Sequence, residues 1–382
     1  MCGLTGFIDF SRGTDAETLK ERVEAMTEAL HHRGPDDGGA WTDAEAGVAL
    51  GFRRLSIIDL SAHGHQPMSS ASGRYVIIFN GEVYNFHDLR KELTAAGANL
   101  KGNSDTEVVL EAIEAWGLEK AVKRFIGMFA IALWDRSERT LHLIRDRLGV
   151  KPLYWGRQGN LLLFGSELKA LRAHPDWPPE INRGALAAYF RYAYVPAPHS
   201  IYTGIEKQLP GTIISIGPDG NARTTHYWSL ADIRGANKKN LFQGADDEAA
   251  DELDRLIRES VELRMVSDVP IGAFLSGGID SSTVVGAMQA ISPRPVKTFT
   301  IGFEEAAFNE AESAKRIAGH LGTDHTELYV SPAEARDIIP RLAEVYDEPF
   351  ADSSQIPTTL VSQLARKDVT VSLSGDGGDE LF

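Results

Sequence analysis

The chain has 382 residues, of which 43% are hydrophobic and 24% charged, with a formal net charge of -15 and an isoelectric point of about 5.2. At about 150 residues per domain the length suggests two or three domains, each able to bury a core. The acidic balance argues against nucleic acid and anionic membranes as partners, since both require clustered Lys and Arg.

No apolar run approaches about 18 residues, so nothing reads as a bilayer span, and the N-terminus lacks a basic-then-apolar secretion signal. Cys2 is the single cysteine. One cysteine makes no intramolecular disulfide and no cysteine-based structural zinc site, and it fits a reducing, cytoplasmic location.

Met1-Cys2-Gly3 opens the chain. If Met1 is removed, Cys2 carries a thiol and a free α-amine on one residue. An α-amine titrates near pH 7.7–8.0 in model compounds, so it can act as a base beside the thiol. Small residues also follow Met1 without any chemistry, and position alone leaves both readings open.

Thr14-Asp15-Ala16-Glu17 fits a capping box, and Leu19, Val23, Met26 and Leu30 follow at helical spacing until Gly34-Pro35. Short apolar runs then suggest strands at Leu55–Ile58, Tyr75–Phe79, Met128–Trp134 and Leu161–Phe164. Residues 104–116 and 183–192 read as helices. To about residue 210 this predicts antiparallel sheets packed face to face with a few helices. Asn80-Gly81 is a strong hairpin signal. Taken alone, Arg54 and Asp105 read as solvated charges. His63-x-His65 lacks a third ligand at a recognisable spacing and reads as a polar loop, while His31, His320 and His325 read as helix-end or surface groups.

A polar stretch over Asp232–Asp247 reads as a linker. Beyond it strands and helices alternate. Helices are expected near 247–265, after Asp280 and over about 309–321. Strands are expected at Ile271–Leu275, Lys297–Ile301, Thr326–Val330 and Val369–Leu373. This alternation predicts a parallel α/β sheet.

Ser276-Gly277-Gly278-Ile279-Asp280-Ser281-Ser282 joins a strand to a helix. Glycines let the backbone approach a phosphate, the helix start supplies N–H donors, and Ser281 and Ser282 add hydroxyls. Asp280 would repel a phosphate unless a cation lay between them, which points to Mg²⁺. The spacing is not that of a kinase-type P-loop. Ser374-Gly375-Asp376-Gly377-Gly378-Asp379-Glu380 repeats the logic at the end of another strand, at the sheet edge where ligands bind.

These loops, together with Met1-Cys2-Gly3, His32-Arg33-Gly34-Pro35-Asp36, Arg54–Asp59, Asn80–Asn85, Ser104–Glu107 and Arg145–Gly149, resemble glutamine-hydrolysing asparagine synthetases over essentially the whole chain. The resemblance implies an α+β N-terminal domain of the Ntn-hydrolase type over 1–210, a connecting segment over 211–246, and an incomplete α/β domain of the ATP-pyrophosphatase type over 247–382. It implies that Cys2 attacks the glutamine side-chain amide, with Asn80 and Gly81 as the oxyanion hole. Arg54 would hold the substrate's α-carboxylate, with Glu82 and Asp105 near its α-amine. Leu275 and Ile301 would meet adenosine through backbone. Ser276, Gly277, Gly278, Ser281 and Ser282 would hold pyrophosphate, and Ser374 and Gly375 would add ATP contacts. Asp280 and Asp379 would reach Mg²⁺. Asp376 falls where the family ties an acidic residue, often Glu, to the acyl-adenylate.

The implied reaction hydrolyses glutamine through a Cys2 thioester and passes ammonia to an aspartate β-carboxylate activated by ATP as an acyl-adenylate. Water must be excluded from that transfer, so mutually packed domains are expected, and the resemblance also implies a homodimer. The family's synthetase domain runs well past the residue matching Phe382. The expectation is therefore that this piece retains at most the glutaminase half. An amidotransferase acting on another carboxylate, from cell-envelope or natural-product chemistry, is the alternative; a non-enzymatic binding role is the second alternative.

Overall fold

The computed structural model describes residues 1–238, 241–303 and 310–381. Positions 239 and 240 of the expected linker and 309 of the expected helix lie outside them. The chain divides into two compact units, Met1–Lys239 with Asp347–Ala351, and Asn240–Tyr346 with Asp352–Phe382.

In the first unit the strands are β1 (Gly3–Asp9), β2 (Asp37–Asp43), β3 (Val48–Arg54), β4 (Met68–Ser69), β5 (Tyr75–Val83), β6 (Gly127–Asp135), β7 (Thr140–Arg145), β8 (Tyr154–Gln158), β9 (Leu161–Gly165), β10 (Ile205–Lys207), β11 (Thr212–Ile216) and β12 (Ala222–His226). The helices are α1 (Ala16–Glu28), α2 (Phe86–Ala95), α3 (Asp105–Trp116), α4 (Leu118–Arg124), α5 (Leu168–Arg172), α6 (Arg183–Tyr192) and α7 (Leu230–Asn237).

The strands form two six-stranded antiparallel sheets, ordered β10-β8-β9-β1-β3-β2 and β12-β11-β7-β6-β5-β4. Alternate residues of facing strands fill the space between them: Leu4 and Ile8 of β1, Val48, Leu50 and Phe52 of β3, Val76 and Ile78 of β5, and Ala130, Ala132 and Trp134 of β6. Helices α1, α5 and α6 cover the outer face of the first sheet through Leu19, Val23, Met26 and Leu171, and α3 packs on β5.

Several expectations need correction. The cap of α1 is Asp15, whose carboxylate accepts from Thr18 N, rather than Thr14. The helix stops at Glu28, and a 3-10 turn over His31–Arg33 precedes Gly34. Leu55–Ile58 is not a strand; β3 ends at Arg54, where the chain turns to wrap that residue's guanidinium. Asn80-Gly81 is not a hairpin turn but lies inside β5, paired with Ala130 and Phe129. Glycine is required at 81 by packing, because a Cβ there would collide with the Met128 carbonyl. The polar stretch after residue 230 begins with helix α7, capped by Ser229 and without a buried residue.

In the second unit β13 (Ile271–Phe274), β14 (Lys297–Phe303), β15 (Asp324–Val330) and β16 (Val371–Leu373) form a parallel sheet in the order β15-β14-β13-β16. Helices α8 (Asp246–Arg264), α9 (Ile279–Ile291) and α10 (Ala311–Leu321) cover one face, with Val261, Val285, Met288 and Ala314 around Ala273 and Leu373. Helices α11 (Pro332–Val345) and α12 (Gln355–Ala365) cover the other through Ile338, Leu360 and Leu364. Strand β16 starts two residues later than expected.

Candidate active sites

The first site is built by strand alternation. Cys2 precedes β1 on the face of Leu4, and Arg54 ends β3 on the face of Phe52 and Leu50. The register Gly3↔Arg53 sets Cys2 beside Arg54 at the end of the sandwich. On the opposite sheet Val76 and Ile78 face the same interior, so Asn80 and Glu82 continue that row. Cys2 packs against the core, and its Sγ lies 3.4 Å from Leu55 N and 3.5 Å from Leu55 O.

Asn80 is 1% exposed, and neither its Nδ2 nor its Oδ1 has a hydrogen-bond partner among the described residues. A buried amide left unmet costs roughly 1–3 kcal/mol, so such a group in a native core calls for an explanation. Gly81 sits on a prepared edge. Beyond Ile77, β5 has no neighbouring strand on its β4 side among the described residues. There Phe79 N donates to Gln66 Oε1 (2.6 Å) and Val83 N donates to Asp105 Oδ2 (3.0 Å). Between them the Gly81 N–H faces the same edge, because alternate N–H groups of a strand share a side.

Arg54 and Asp105 are buried at 7% and 6% exposure, which corrects their reading as solvated charges. The loop after β3 wraps Arg54, whose guanidinium donates to Ser61 O (3.0 Å), Ile58 O (3.4 Å) and Asp59 O. Gly64 completes the wrap, since a Cβ there would strike the guanidinium. Asp105 opens α3 behind the Ser104 cap. Burial pushes its carboxyl up to about 6, against the N–H donors of Val83 and Thr106 and the charge of Arg54.

Burial also pushes the Cys2 thiol up, opposed by the Leu55 hydrogen bond, the N-terminal charge and Lys151. Arg33 anchors the Cys2 backbone: its Nε donates to Cys2 O (2.8 Å) and its Nη1 to Glu167 Oε1 (2.6 Å). Glu167 also meets His32 (2.9 Å) and Lys169 (3.0 Å), and Lys169 meets Asp347 (3.4 Å). Sequence reasoning gave Arg33, Glu167 and Lys169 no role. The His32–Asp36 string was the available signal.

In the second unit the two glycine-rich loops leave the ends of adjacent parallel strands, since Ala273 of β13 pairs with Leu373 of β16. The first loop closes on Ser281, whose Oγ accepts from Ser276 N (3.1 Å) and lies 2.8 Å from Ser276 Oγ. Ser276 Oγ accepts from Gly278 N (3.1 Å), and Ser282 Oγ donates to Gly278 O (2.6 Å). Gly278 caps α9, which puts Asp280 in its first turn. Gly277 packs against Ser313 of α10.

The second loop touches the first. A Cβ on Gly375 would meet Asp280 and Ser281 N, and one on Gly378 would strike the Asp280 carboxylate. Ser374 Oγ donates to Asp376 Oδ2 (2.9 Å). Asp379 lies in the turn that follows. Leu275 N donates to Phe299 O (3.0 Å), and Ile301 lies mid-β14. His325 is not a surface group: it is half-buried on β15, with Nδ1 2.9 Å from Thr298 Oγ1.

Among the described residues no cluster of three or more His, Cys, Asp or Glu side chains is arranged to hold a metal, and no helix is long and apolar enough to cross a membrane.

Residues 1–228 match the family model of the glutamine amidotransferase domain, and residues 252–382 match that of asparagine synthase. The chain is 38% identical to asparagine synthetase [glutamine-hydrolyzing] 1 of Bacillus subtilis, aligning over all of this chain and 58% of that protein. It is 37% identical to putative asparagine synthetase [glutamine-hydrolyzing] 2 of Methanocaldococcus jannaschii, over all of this chain and 75% of that protein. A solved glutamine phosphoribosylpyrophosphate amidotransferase of B. subtilis aligns with 85% of this chain and 65% of its own, at a TM-score of 0.45 and 16% identity. The chain belongs to the family of glutamine-hydrolysing asparagine synthetases.

Proposed function

We propose that the first unit hydrolyses glutamine at Cys2 and that the ammonia is used to amidate an aspartate β-carboxylate activated by ATP at the loops of the second unit. The observation that carries the first half is the Asn80 carboxamide, buried and without a partner among the described residues, on a strand row that faces the same inter-sheet space as Cys2 and Arg54.

With Met1 removed, the α-amine of Cys2 accepts the Sγ proton and the thiolate attacks the glutamine Cδ. Negative charge develops on the amide oxygen, where Asn80 Nδ2 and Gly81 N–H are the donors. One such donor is typically worth about 2.7–4 kcal/mol in the transition state. The α-ammonium returns the proton to the leaving nitrogen, ammonia departs, and water cleaves the thioester. Arg54 holds the substrate α-carboxylate, and Glu82 and Asp105 hold its α-ammonium.

In the second unit, Ser276, Gly277, Gly278, Ser281 and Ser282 bind pyrophosphate, Leu275 and Ile301 contact adenosine through backbone, and Ser374 and Gly375 add ATP contacts. Asp376 faces the acyl-adenylate. The carboxylates of Asp280 and Asp379 suit a hard divalent ion such as Mg²⁺, with remaining ligands from phosphate and water. The glycine packed against Asp280 supports this, because no side chain there could crowd the carboxylate. Bound Mg²⁺ would neutralise phosphate charge.

One relative matching all of this chain, at 29% identity, carries a different name, amidase chry2 of Gibberella zeae. This favours keeping, as a second reading, amidation of a different carboxylate. Glutamate release from glutamine tests the first half. Pyrophosphate release with aspartate, against other carboxylates, tests the second in the protein extended to its relatives' length; there, equal release with and without any carboxylate would contradict it.

A further inference from the structure

Lys151 is 5% exposed beside the N-terminus. Lysines stay in water unless paired, so its burial calls for a cause. The chain braces it there. Asp146 Oδ1 accepts from Leu148 N (3.1 Å) and Val150 N (3.0 Å), and Oδ2 accepts from Lys151 N (3.0 Å) and Phe129 N (3.2 Å). Arg145 donates to the carbonyls of Lys151 (2.9 Å) and Gly149 (2.7 Å). Gly149 takes φ +71°, a conformation that favours glycine. The Arg145–Gly149 string is therefore a cross-braced turn. Its product is an inward ammonium whose Nζ lies 3.2 Å from Met1 Sδ.

A thioether is a weak acceptor, and Met1 is the residue whose loss frees the α-amine. Two facing groups favour the charged lysine, Glu82 on β5 and Cys2 before β1. Asp146 in its own turn adds to them, while Arg33 opposes them, as does burial, the largest effect. The lysine charge in turn eases ionisation of the Cys2 thiol, while Asp105 at the start of α3 resists it.

We propose that Lys151 is a positioning residue for glutamine hydrolysis: the braced turn over residues 146–151 aims its ammonium at the N-terminal nucleophile, so that after Met1 is lost the cation favours the Cys2 thiolate and keeps the α-amine unprotonated. A cation favours a neighbouring anion and disfavours a second cation. The Sγ–H bond breaks and an N–H bond forms on the amine. Beside Lys151 the resulting α-ammonium is a stronger acid, which helps it pass the proton to the departing nitrogen.

The inference rests on Cys2 as the nucleophile. Because Cys2 is the single cysteine, iodoacetamide uptake by the Met1-less chain reports on it alone. In Lys151→Met the midpoint of the pH–alkylation curve is expected to rise by about one unit, a tenfold loss of rate at pH 7. The glutaminase kcat/KM profile shifts the same way, and Lys151→Arg restores both to within about twofold. Lys151→Gln serves as the second uncharged variant should Lys151→Met fail to fold, as read by circular dichroism. A folded uncharged variant with an unmoved alkylation curve would overturn the proposal, even with a lowered melting temperature. Full glutaminase activity in Cys2→Ala would instead overturn the reading beneath it.

Discussion

Arg33 Nε donates to the backbone carbonyl of Cys2 over 2.8 Å, so Cys2, the proposed nucleophile, is held through its main chain and not only by packing. The same guanidinium is paired with Glu167 at 2.6 Å in a buried setting. Burial alone would raise the Glu167 carboxyl, but the His32 hydrogen bond and the Arg33 charge hold it at about 2.

Removing one partner of a buried pair is costly, so Arg33→Met is expected to destabilise the chain by about 3 kcal/mol in urea denaturation. It should also depress glutaminase kcat, because the anchored carbonyl is released. Glu167 has its folded pKa below the unfolded value of about 4.3. Its contribution is therefore present above that pH and lost as pH falls toward 2. Glu167→Gln should flatten acid destabilisation in that window and leave its slope above pH 6 alone.

Asn80→Ala separates stability from activity. The carboxamide has no partner to lose, so the melting temperature should stay within a few degrees of the parent or rise. Glutaminase kcat should fall by about 10²–10³ with little change in KM, the signature of a donor used in the transition state. A large stability loss with unchanged kcat would contradict the oxyanion-hole role.

Asp105 sets a pH window of the opposite kind. Its folded pKa of about 6 exceeds the unfolded value near 3.9, so its burial costs nothing below pH 4 and most above pH 6. Asp105→Asn should therefore gain stability relative to the parent as pH rises from 4 to 6, by up to about 3 kcal/mol. For the parent, glutamine KM should rise as pH falls through 6, because the protonated carboxyl no longer pairs with the substrate ammonium. Steady-state kinetics from pH 5 to 8 check this.

Gly378→Ala tests whether the two loops act as one nucleotide site. The new methyl would strike the Asp280 carboxylate and separate the loops, and overpacking of this kind costs about 1–3 kcal/mol. Titration calorimetry should show ATP–Mg²⁺ affinity reduced by tenfold or more, about 1.4 kcal/mol. Unchanged affinity would mean that the loops bind independently.

The sequence made the periodic features legible. The short apolar runs at Tyr75 and Met128 became neighbouring antiparallel strands in one sheet of the sandwich, and the strand–helix rhythm after residue 247 became a parallel sheet. It misled where a local signal met a tertiary demand. Asn80-Gly81 has turn chemistry, yet β6 packs so close that glycine is needed inside a strand. Arg54 and Asp105 look like surface charges because their burial is tertiary: the following loop folds back so that Ser61 O meets Arg54, and Asp105 meets Val83 N, 22 residues away. The Arg33–Glu167 pair spans 134 residues, a separation that a single sequence does not disclose.

The most direct test of the central claim is mass spectrometry of the Met1-less chain after exposure to a glutamine analogue bearing an electrophile at the position of the side-chain amide. One adduct is expected, on Cys2, formed at a rate that excess glutamine suppresses, together with loss of glutamate production. Adduct formation elsewhere, or glutaminase turnover that continues with Cys2 fully blocked, would contradict it.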